Sequence, residues 1–282
     1  MMVRLVMDRI SCHVTARCNL RCSKCAVYIP RLYEIGRVPE YDIDATINSF
    51  QTYFDIVESV RLISLTGGET MLHPRLSDLI VFLLGYEQRF SKLEVFTNGA
   101  VSIPEPVLNA LSKSEKVSVF IDNYGPDISI KLKSIEEKCK KLKVNYTIRK
   151  YYGEGAYLGG WVDRAILPKK LDDETAKMHF SKCTVSKEGG RLFTVFGRIL
   201  TLCATPYCGY RIGAVPKNDV LYVDLGDDTR TLEEKRRQLL EMNNVDFNPG
   251  CAWCNGLGVY ENVERFIPGE QIIMKGLAKS NG

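Results

Sequence analysis

Along the first 150 positions the apolar residues fall into two alternating patterns. Short β-rich runs, ISCHV (10–14), VRLISLT (60–66), KLEVFT (92–97), VSVFI (117–121) and VNYTI (144–148), read as strands. Between them Ile43, Ile47, Phe50, Phe54 and Val57 recur at steps of four and three, the apolar stripe of a helix packed on a sheet. Ile128, Leu132, Ile135, Cys139 and Leu142 repeat that stripe. The alternation predicts βα units around a parallel sheet whose strands are buried on both faces. After about residue 150 the pattern changes. YYGEGAYLGGWV (151–162), rich in glycine and aromatics, reads as a long loop, and residues 172–180 read as a helix. RLFTVFGRILTLC (191–203) reads as two strands meeting at Phe196-Gly197. Thr231-Leu232-Glu233-Glu234 is a capping box, so a helix is expected from there to about Glu241. The chain thus reads as a βα body over residues 1–165 followed by a small α/β unit over 166–282.

Composition narrows the class. The 282 residues are 45% hydrophobic and 26% charged, the balance of an ordinary soluble protein rather than a disordered one. No apolar run approaches the ~18 residues of a membrane span, and the first residues are too charged for a secretory signal. A cytoplasmic protein with no membrane partner is expected. The net charge of +4 is mild, and the densest basic stretch, Lys138 to Lys143, lies on a predicted helix as a solvated face. No segment interleaves aromatics with bases, so no nucleic-acid partner is expected.

Ten cysteines change the picture, because a disulfide framework does not suit a cytoplasmic chain of this length and clustered thiols then point to metal. CNLRCSKC places Cys18, Cys22 and Cys25 just after the first predicted strand. Three thiolates at this spacing can wrap one face of a cubane [4Fe–4S] cluster and leave one iron open. A structural zinc knuckle completed from elsewhere is the alternative. LTGGET (65–70) ends the second predicted strand with Gly67, Gly68 and Glu69. Glycines let a backbone approach a ligand and a carboxylate can receive an ammonium, although a plain turn would use the same residues.

Together these features resemble the radical S-adenosylmethionine (SAM) superfamily: the three cysteines after strand one, the Gly-Gly-Glu after strand two, Thr97-Asn98-Gly99 after strand three, and Ser118 with Asp122 on strand four. The resemblance covers roughly residues 8–150. It implies a partial (β/α)6 parallel barrel in which the open iron chelates the amino and carboxylate groups of SAM. It also implies that Gly67, Gly68 and Glu69 meet the SAM amino group, with Asn98, Ser118 and Asp122 as candidates for the ribose or carboxylate. Family members usually carry an aromatic immediately before the third cysteine. Lys24 stands there instead, leaving Tyr28 as the candidate for the missing ring.

Cys183, Cys203, Cys251 and Cys254 form the second group. On ligand chemistry alone, zinc and a fully ligated [4Fe–4S] cluster both suit them. The order of cysteine, hairpin, cysteine, helix and closing pair is similar to the twitch domain, the short form of the SPASM domain. That implies one auxiliary [4Fe–4S] cluster, since no cysteine follows Cys254. Cys12 and Cys139 fall on a strand and a helix stripe and read as packing. Cys208 is placed in a loop, as a spare ligand, a bland thiol or a hydrogen-atom donor. His73 reads as a cap, and His13 and His179 are scattered. Trp161 and Asp163 face the barrel mouth by topology, and Asp163 is either a substrate contact or a solvated carboxylate.

The resemblance implies reductive cleavage of SAM to a 5′-deoxyadenosyl radical that takes hydrogen from a substrate carbon, with flavodoxin or ferredoxin as electron donor. Peptide-modifying relatives usually carry a leader-binding domain ahead of the barrel, and seventeen residues precede Cys18 here. The compact plan is similar to aminoglycoside-tailoring radical SAM dehydrogenases. The expected substrate is therefore a small polar molecule, a sugar or aminocyclitol, that is oxidised. A radical epimerase using Cys208, a peptide maturase and a non-catalytic zinc or electron-transfer protein are the alternatives.

Overall fold

The computed structural model describes residues 5–164, 170–183, 185, 191–257 and 264–272. Strands β1 (Val6–Thr15), β2 (Ser59–Gly67), β3 (Phe90–Thr97), β4 (Val117–Asn123) and β5 (Asn145–Lys150) lie side by side in chain order, all parallel. Each of the five strand-like runs in the sequence falls on one of them. Parallel neighbours need crossovers rather than hairpins. Helices α1 (Ile29–Glu34) and α2 (Ile43–Ile56) make the first crossing, and α3 (Leu76–Leu84), α4 (Glu105–Leu111) and α5 (Leu132–Lys141) make the next three.

Helix α6 (Asp173–Lys182) precedes a hairpin of β6 (Leu192–Phe196) and β7 (Ile199–Leu202), which turns at Gly197 as the sequence predicts. Helix α7 (Ala204–Arg211), β8 (Tyr222–Asp224) and α8 (Leu232–Asn243) follow. The periodicity does not foretell where the hairpin docks. β6 pairs in parallel with β1, from Arg9 opposite Leu192 to Cys12 opposite Val195, giving one sheet of order β5-β4-β3-β2-β1-β6-β7-β8. Among the described residues six strands run parallel, with the sixth beside β1 rather than β5. Without it β1 would present an unpaired edge. Residues 165 and 166, where the sequence reading divides the chain, lie outside the described residues, and the sheet itself is continuous from one unit to the other.

Strand side chains alternate between faces. Ile10, Cys12, Val14, Ile63, Leu65, Leu93, Val95, Val117, Val119 and Ile121 are buried with Phe50, Phe54, Leu79, Leu83, Leu108 and Ile135 from the helices. Fully burying one such side chain stabilises the fold by about 1.5–3 kcal/mol. Cys12 and Cys139 belong to this core, as their pattern suggests. The opposite face differs from the expected apolar one. It carries Ser11, His13, Thr15, Ser64, Thr66, Glu94, Ser118 and Asp122, polar residues set at even spacings along their strands. Ser11 Oγ donates to Thr194 Oγ1 at 2.8 Å across the β1–β6 junction, and Glu94 meets Lys92 Nζ at 2.7 Å. No helix among the described residues is long and apolar enough to cross a membrane.

The capping box forms as read. Thr231 N donates to Glu234 Oε2 at 2.8 Å and Glu234 N to Thr231 Oγ1 at 3.2 Å, and α8 seats Leu239 and Met242 in the main core. Thr231→Ala should therefore lower the unfolding free energy by about 1 kcal/mol. Urea denaturation checks this, with a shifted midpoint and an unchanged slope.

Candidate functional site

Because parallel strands all end at the same edge of a sheet, the loops that follow them gather there. A cavity of about 260 Å³ opens at that edge. It is lined by Cys18, Cys22 and Cys25 after β1, by Gly67, Gly68 and Glu69 after β2, by Thr97 and Asn98 after β3, and by Asp122 and Tyr124 at the end of β4, with Trp161 beside them.

The glycine pair answers to the chain itself as well as to the cavity. A Cβ on Gly67 would lie 2.4 Å from Thr15 O, and one on Gly68 would lie 2.2 Å from Arg17 O. Gly67 also sits at φ +137°, where a side chain is strained. Gly68 N donates to Thr15 O and Glu69 N to Arg17 O, both at 2.8 Å. The pair therefore lets the end of β2 clamp the start of the cysteine loop, a role the sequence reading does not give it.

Glu69 is buried. Its carboxylate accepts from Met71 N at 3.1 Å and from Asn98 N at 2.8 Å. Burial pushes its pKa up to about 7 against these donors. Asn98 reaches back to the cysteine loop through Nδ2, which donates to Asn19 Oδ1 at 2.9 Å. Asp122 is gripped by Arg149, whose Nε and Nη2 donate to Oδ1 at 2.8 and 2.7 Å. Burial raises the Asp122 carboxyl and Arg149 opposes the rise. Ser118, further from the strand end than Asp122 on the same face, is buried, and its Oγ has no hydrogen-bond partner. It does not line the cavity.

Burial pushes the Cys18 thiol up to about 12 and the Cys22 thiol up to about 11, and it raises Cys25 as well. N–H donors work the other way. Leu20 N points at Cys18 Sγ (3.4 Å), Gln271 Nε2 at Cys22 Sγ (3.3 Å), and the amides of Val27, Tyr28 and Ile29 at Cys25. Thiols so buried lose their protons to solvent when a cation binds, because the cation's charge stabilises the thiolates that burial disfavours.

A second cavity is walled by the other four cysteines, with Arg164 and His179. Cys183 closes α6 and Cys203 opens α7 at φ 68°, a conformation uncommon for a side-chain-bearing residue. Asn248 holds the short 3-10 turn Pro249–Trp253 by accepting from Gly250 N and donating to Leu202 O, which places Cys251 and Cys254. Gly256 N and Leu257 N donate to Cys254 and Cys183 sulfurs, each at 3.3 Å. Among the described residues, no three His, Cys, Asp or Glu side chains converge on a single metal-ion position. Each thiol set instead lines a cavity, of about 260 Å³ for the first and about 30 Å³ for the second.

Other residues sit differently from their sequence reading. Cys208 is on helix α7, not in a loop. Pro206 and Gly209 do not prevent that short helix, whose buried side packs Tyr207 and Cys208 against Phe196, Tyr28 and Trp253. Tyr28 belongs to this cluster and its hydroxyl donates to Arg164 O at 2.6 Å; it is not among the residues lining the first cavity. Asp163 is paired with Lys24 Nζ at 2.6 Å, so the lysine immediately before the third cysteine engages the loop carboxylate. His73 is not the N-cap of α3: that position is Arg75, whose side chain makes no capping bond, and His73, two residues earlier, accepts the Arg75 N–H at Nδ1 (3.2 Å). Three residues lining or bordering the first cavity escape the sequence reading. His13 is buried, lowered to about 3 by desolvation and therefore neutral, and it lies 4.5 Å from the Phe196 ring. Tyr124 is the second, and Arg149, opposite Asp122 in the β4–β5 register, is the third. The alternation Ser11–His13–Thr15 is the available signal for His13.

No family model matches the chain. It is similar to the GTP 3′,8-cyclase of Helicobacter pylori (strain HPAG1), 29% identical over 160 residues, and the match spans 51% of this chain and about half (48%) of that relative. Among solved structures, hexahistidine-tagged anSMEcpe with bound AdoMet (S-adenosylmethionine) shares 12% identity over 86% of this chain and 84% of that one, with a TM-score of 0.51. Native anSMEcpe with AdoMet and a peptide shares 13% over 95% and 94%, with a TM-score of 0.50. BtrN in complex with AdoMet and 2-DOIA shares 15% over 96% and 100%, with a TM-score of 0.48. The anSMEcpe likeness extends over nearly the whole chain, and the mixed α/β fold with its partial parallel barrel is the one expected.

The folded chain binds the Glu69 proton more tightly than the unfolded chain does, so Glu69 supports folding below the ordinary carboxylate range and loses that support as pH rises to about 7. In the ligand-free protein, the stability of wild type relative to Glu69→Gln should fall between about pH 4.3, the ordinary glutamate value, and about pH 7. Denaturant titrations across that range check it. Parallel curves for the two proteins would remove the raised pKa.

Proposed function

We propose that this chain, whose structural relatives are radical SAM enzymes, is itself a cytoplasmic radical SAM oxidoreductase acting on a small polar substrate such as a sugar or aminocyclitol. The observation that carries the proposal is one cavity lined by three thiols, Cys18, Cys22 and Cys25, together with the buried acceptor Glu69. Glu69 lies close enough to Cys18 to raise its pKa further. Three cysteines would hold a [4Fe–4S] cluster with one iron left open, and the donor set fits that group. When bound, the cluster and SAM would supply a 5′-deoxyadenosyl radical by reductive cleavage, using an electron from a flavodoxin- or ferredoxin-type donor.

The chain's own residues bind and orient. Glu69 would receive the SAM ammonium in a charge-assisted bond, and Asn98 would fix the loop that carries the thiols. Neutral His13, Phe96 and Trp161 line the same space and would limit water. Support for a polar substrate is the polar sheet face that reaches the cavity through His13, Thr66 and Asp122. Cys183, Cys203, Cys251 and Cys254 would hold an auxiliary [4Fe–4S] cluster with every iron ligated, suited to accept an electron from the substrate radical. We retain residues 166–282 as the unit serving that cluster.

A second reading is epimerisation, favoured by Cys208. Its thiol is buried, and Cys25 from one set and Cys203 from the other both lie near enough to raise its pKa. A thiol between the two sets could return a hydrogen atom to the substrate.

Anaerobically reconstituted protein should hold about eight irons per chain, four per cubane. Replacing Cys18, Cys22 and Cys25 by Ala should halve that count and abolish 5′-deoxyadenosine formation, and zinc without iron at the other four cysteines would defeat the auxiliary cluster. Oxidation is separated from epimerisation in deuterated water. Product without solvent deuterium at carbon, and retained turnover by Cys208→Ala, are expected. Deuterium at one inverted carbon, together with a Cys208→Ala variant that cleaves SAM but forms no product, would establish the epimerase instead.

A further inference from the structure

Residues 264–272 come back onto the cysteine loop from the far end of the chain. Trp161 and Phe266 exchange backbone hydrogen bonds of 2.9 and 2.8 Å. Cys22 and Gln271 face each other in an antiparallel bridge, flanked by Ser23 N to Glu270 O and Ile272 N to Arg21 O, both 2.8 Å. Gly269, at φ +72°, sits so close to Tyr124 that a Cβ there would meet the ring at 2.8 Å. The segment is thereby seated on the loop and on the cavity's aromatic wall together.

The Gln271 side chain engages the loop at both of its ends. Oε1 accepts from Arg21 N at 2.6 Å, which fixes the sense of the amide. Nε2 then faces Cys22 Sγ at 3.3 Å and also donates to Gly269 O. A flipped amide would set oxygen against sulfur and a donor against a donor. Cys18 and Cys25 take their N–H donors from amides a few residues away, whereas Cys22 takes its side-chain donor from 249 positions further along.

Resting on the function proposed above, we propose that Gln271 is a positioning residue that tunes the N-terminal cluster: its amide donates to the Cys22 thiolate and raises the cluster's reduction potential. The physical reason is charge. A reduced cluster carries one more electron over its sulfurs, so an N–H···S bond stabilises it more than the oxidised form, and hydrogen bonds to sulfur are among the determinants of cluster potential. Docking of residues 264–272 thus sets how readily the site accepts its electron.

The test is a redox titration of the full, reconstituted chain followed by electron paramagnetic resonance, in wild type, Gln271→Met and Gln271→Glu. The N-terminal signal is identified as the one that changes when SAM is added. Met keeps the length without the donor, while Glu keeps an acceptor for Arg21 N but sets a negative charge near the sulfur. The N-terminal midpoint should become more negative in the order wild type, Met, Glu, with iron content and the auxiliary midpoint unchanged. Equal N-terminal midpoints in the three proteins overturn the proposal. So does loss of the N-terminal cluster from both variants with the auxiliary cluster kept, because Gln271 would then hold the loop rather than tune it. Wild-type protein with no iron at Cys18, Cys22 and Cys25 would overturn the underlying function as well, and wild-type iron content alone reads that outcome.

Discussion

Strand β1 is hydrogen-bonded on both sides, to β2 and to β6, and the two cysteine groups depend on that double pairing. Its C-terminal end launches the CNLRCSKC loop, and the glycine pair at the end of β2 fixes the loop's first residues through Thr15 and Arg17. Its other edge receives β6, whose hairpin ends at Cys203 and whose return places the turn carrying Cys251 and Cys254. The distance between the two thiol sets is therefore set by strand pairing and not by a flexible linker.

The same arrangement explains why the thiols are held in reserve. Burial makes ionisation costly, yet each of the first three sulfurs has N–H donors aimed at it. A site built this way favours the thiolate only once a cation arrives, which ties loading to deprotonation. Glu69 follows the same logic with a carboxylate: two backbone amides hold it while burial keeps its proton affinity high, so a ligand ammonium would complete it.

Much of this is legible in the sequence because local chemistry and tertiary use agree. The strand runs, the α2 stripe, the Phe196-Gly197 turn and the Thr231 capping box all appear where short-range pattern puts them. The seven clustered cysteines group as their spacing suggests, three to one cavity and four to the other. What stays hidden depends on partners distant in the chain. The docking of β6 on β1, the Arg149 grip on Asp122 and the Lys24–Asp163 pair need the fold before they exist. Cys208 reads as a loop residue because neither a strand run nor a helical stripe claims it, whereas tertiary packing against Phe196 and Trp253 sustains a helix of only eight residues.

The strand order also dictates a timetable. β1 emerges from the ribosome well before its partner β6, which lies 183 residues later, counting from Ile10 to Phe193. At the usual pace of synthesis that interval is roughly 10–40 s. Throughout it the nascent sheet, already able to pair β1 with β2, carries an open edge beside the first cysteine loop, the kind of edge that invites strand addition by a neighbouring chain. Contacts between residues so far apart in sequence close slowly. Until β6 arrives, the segment around β1 is therefore an incomplete sheet with an unpaired edge beside the first cysteine loop.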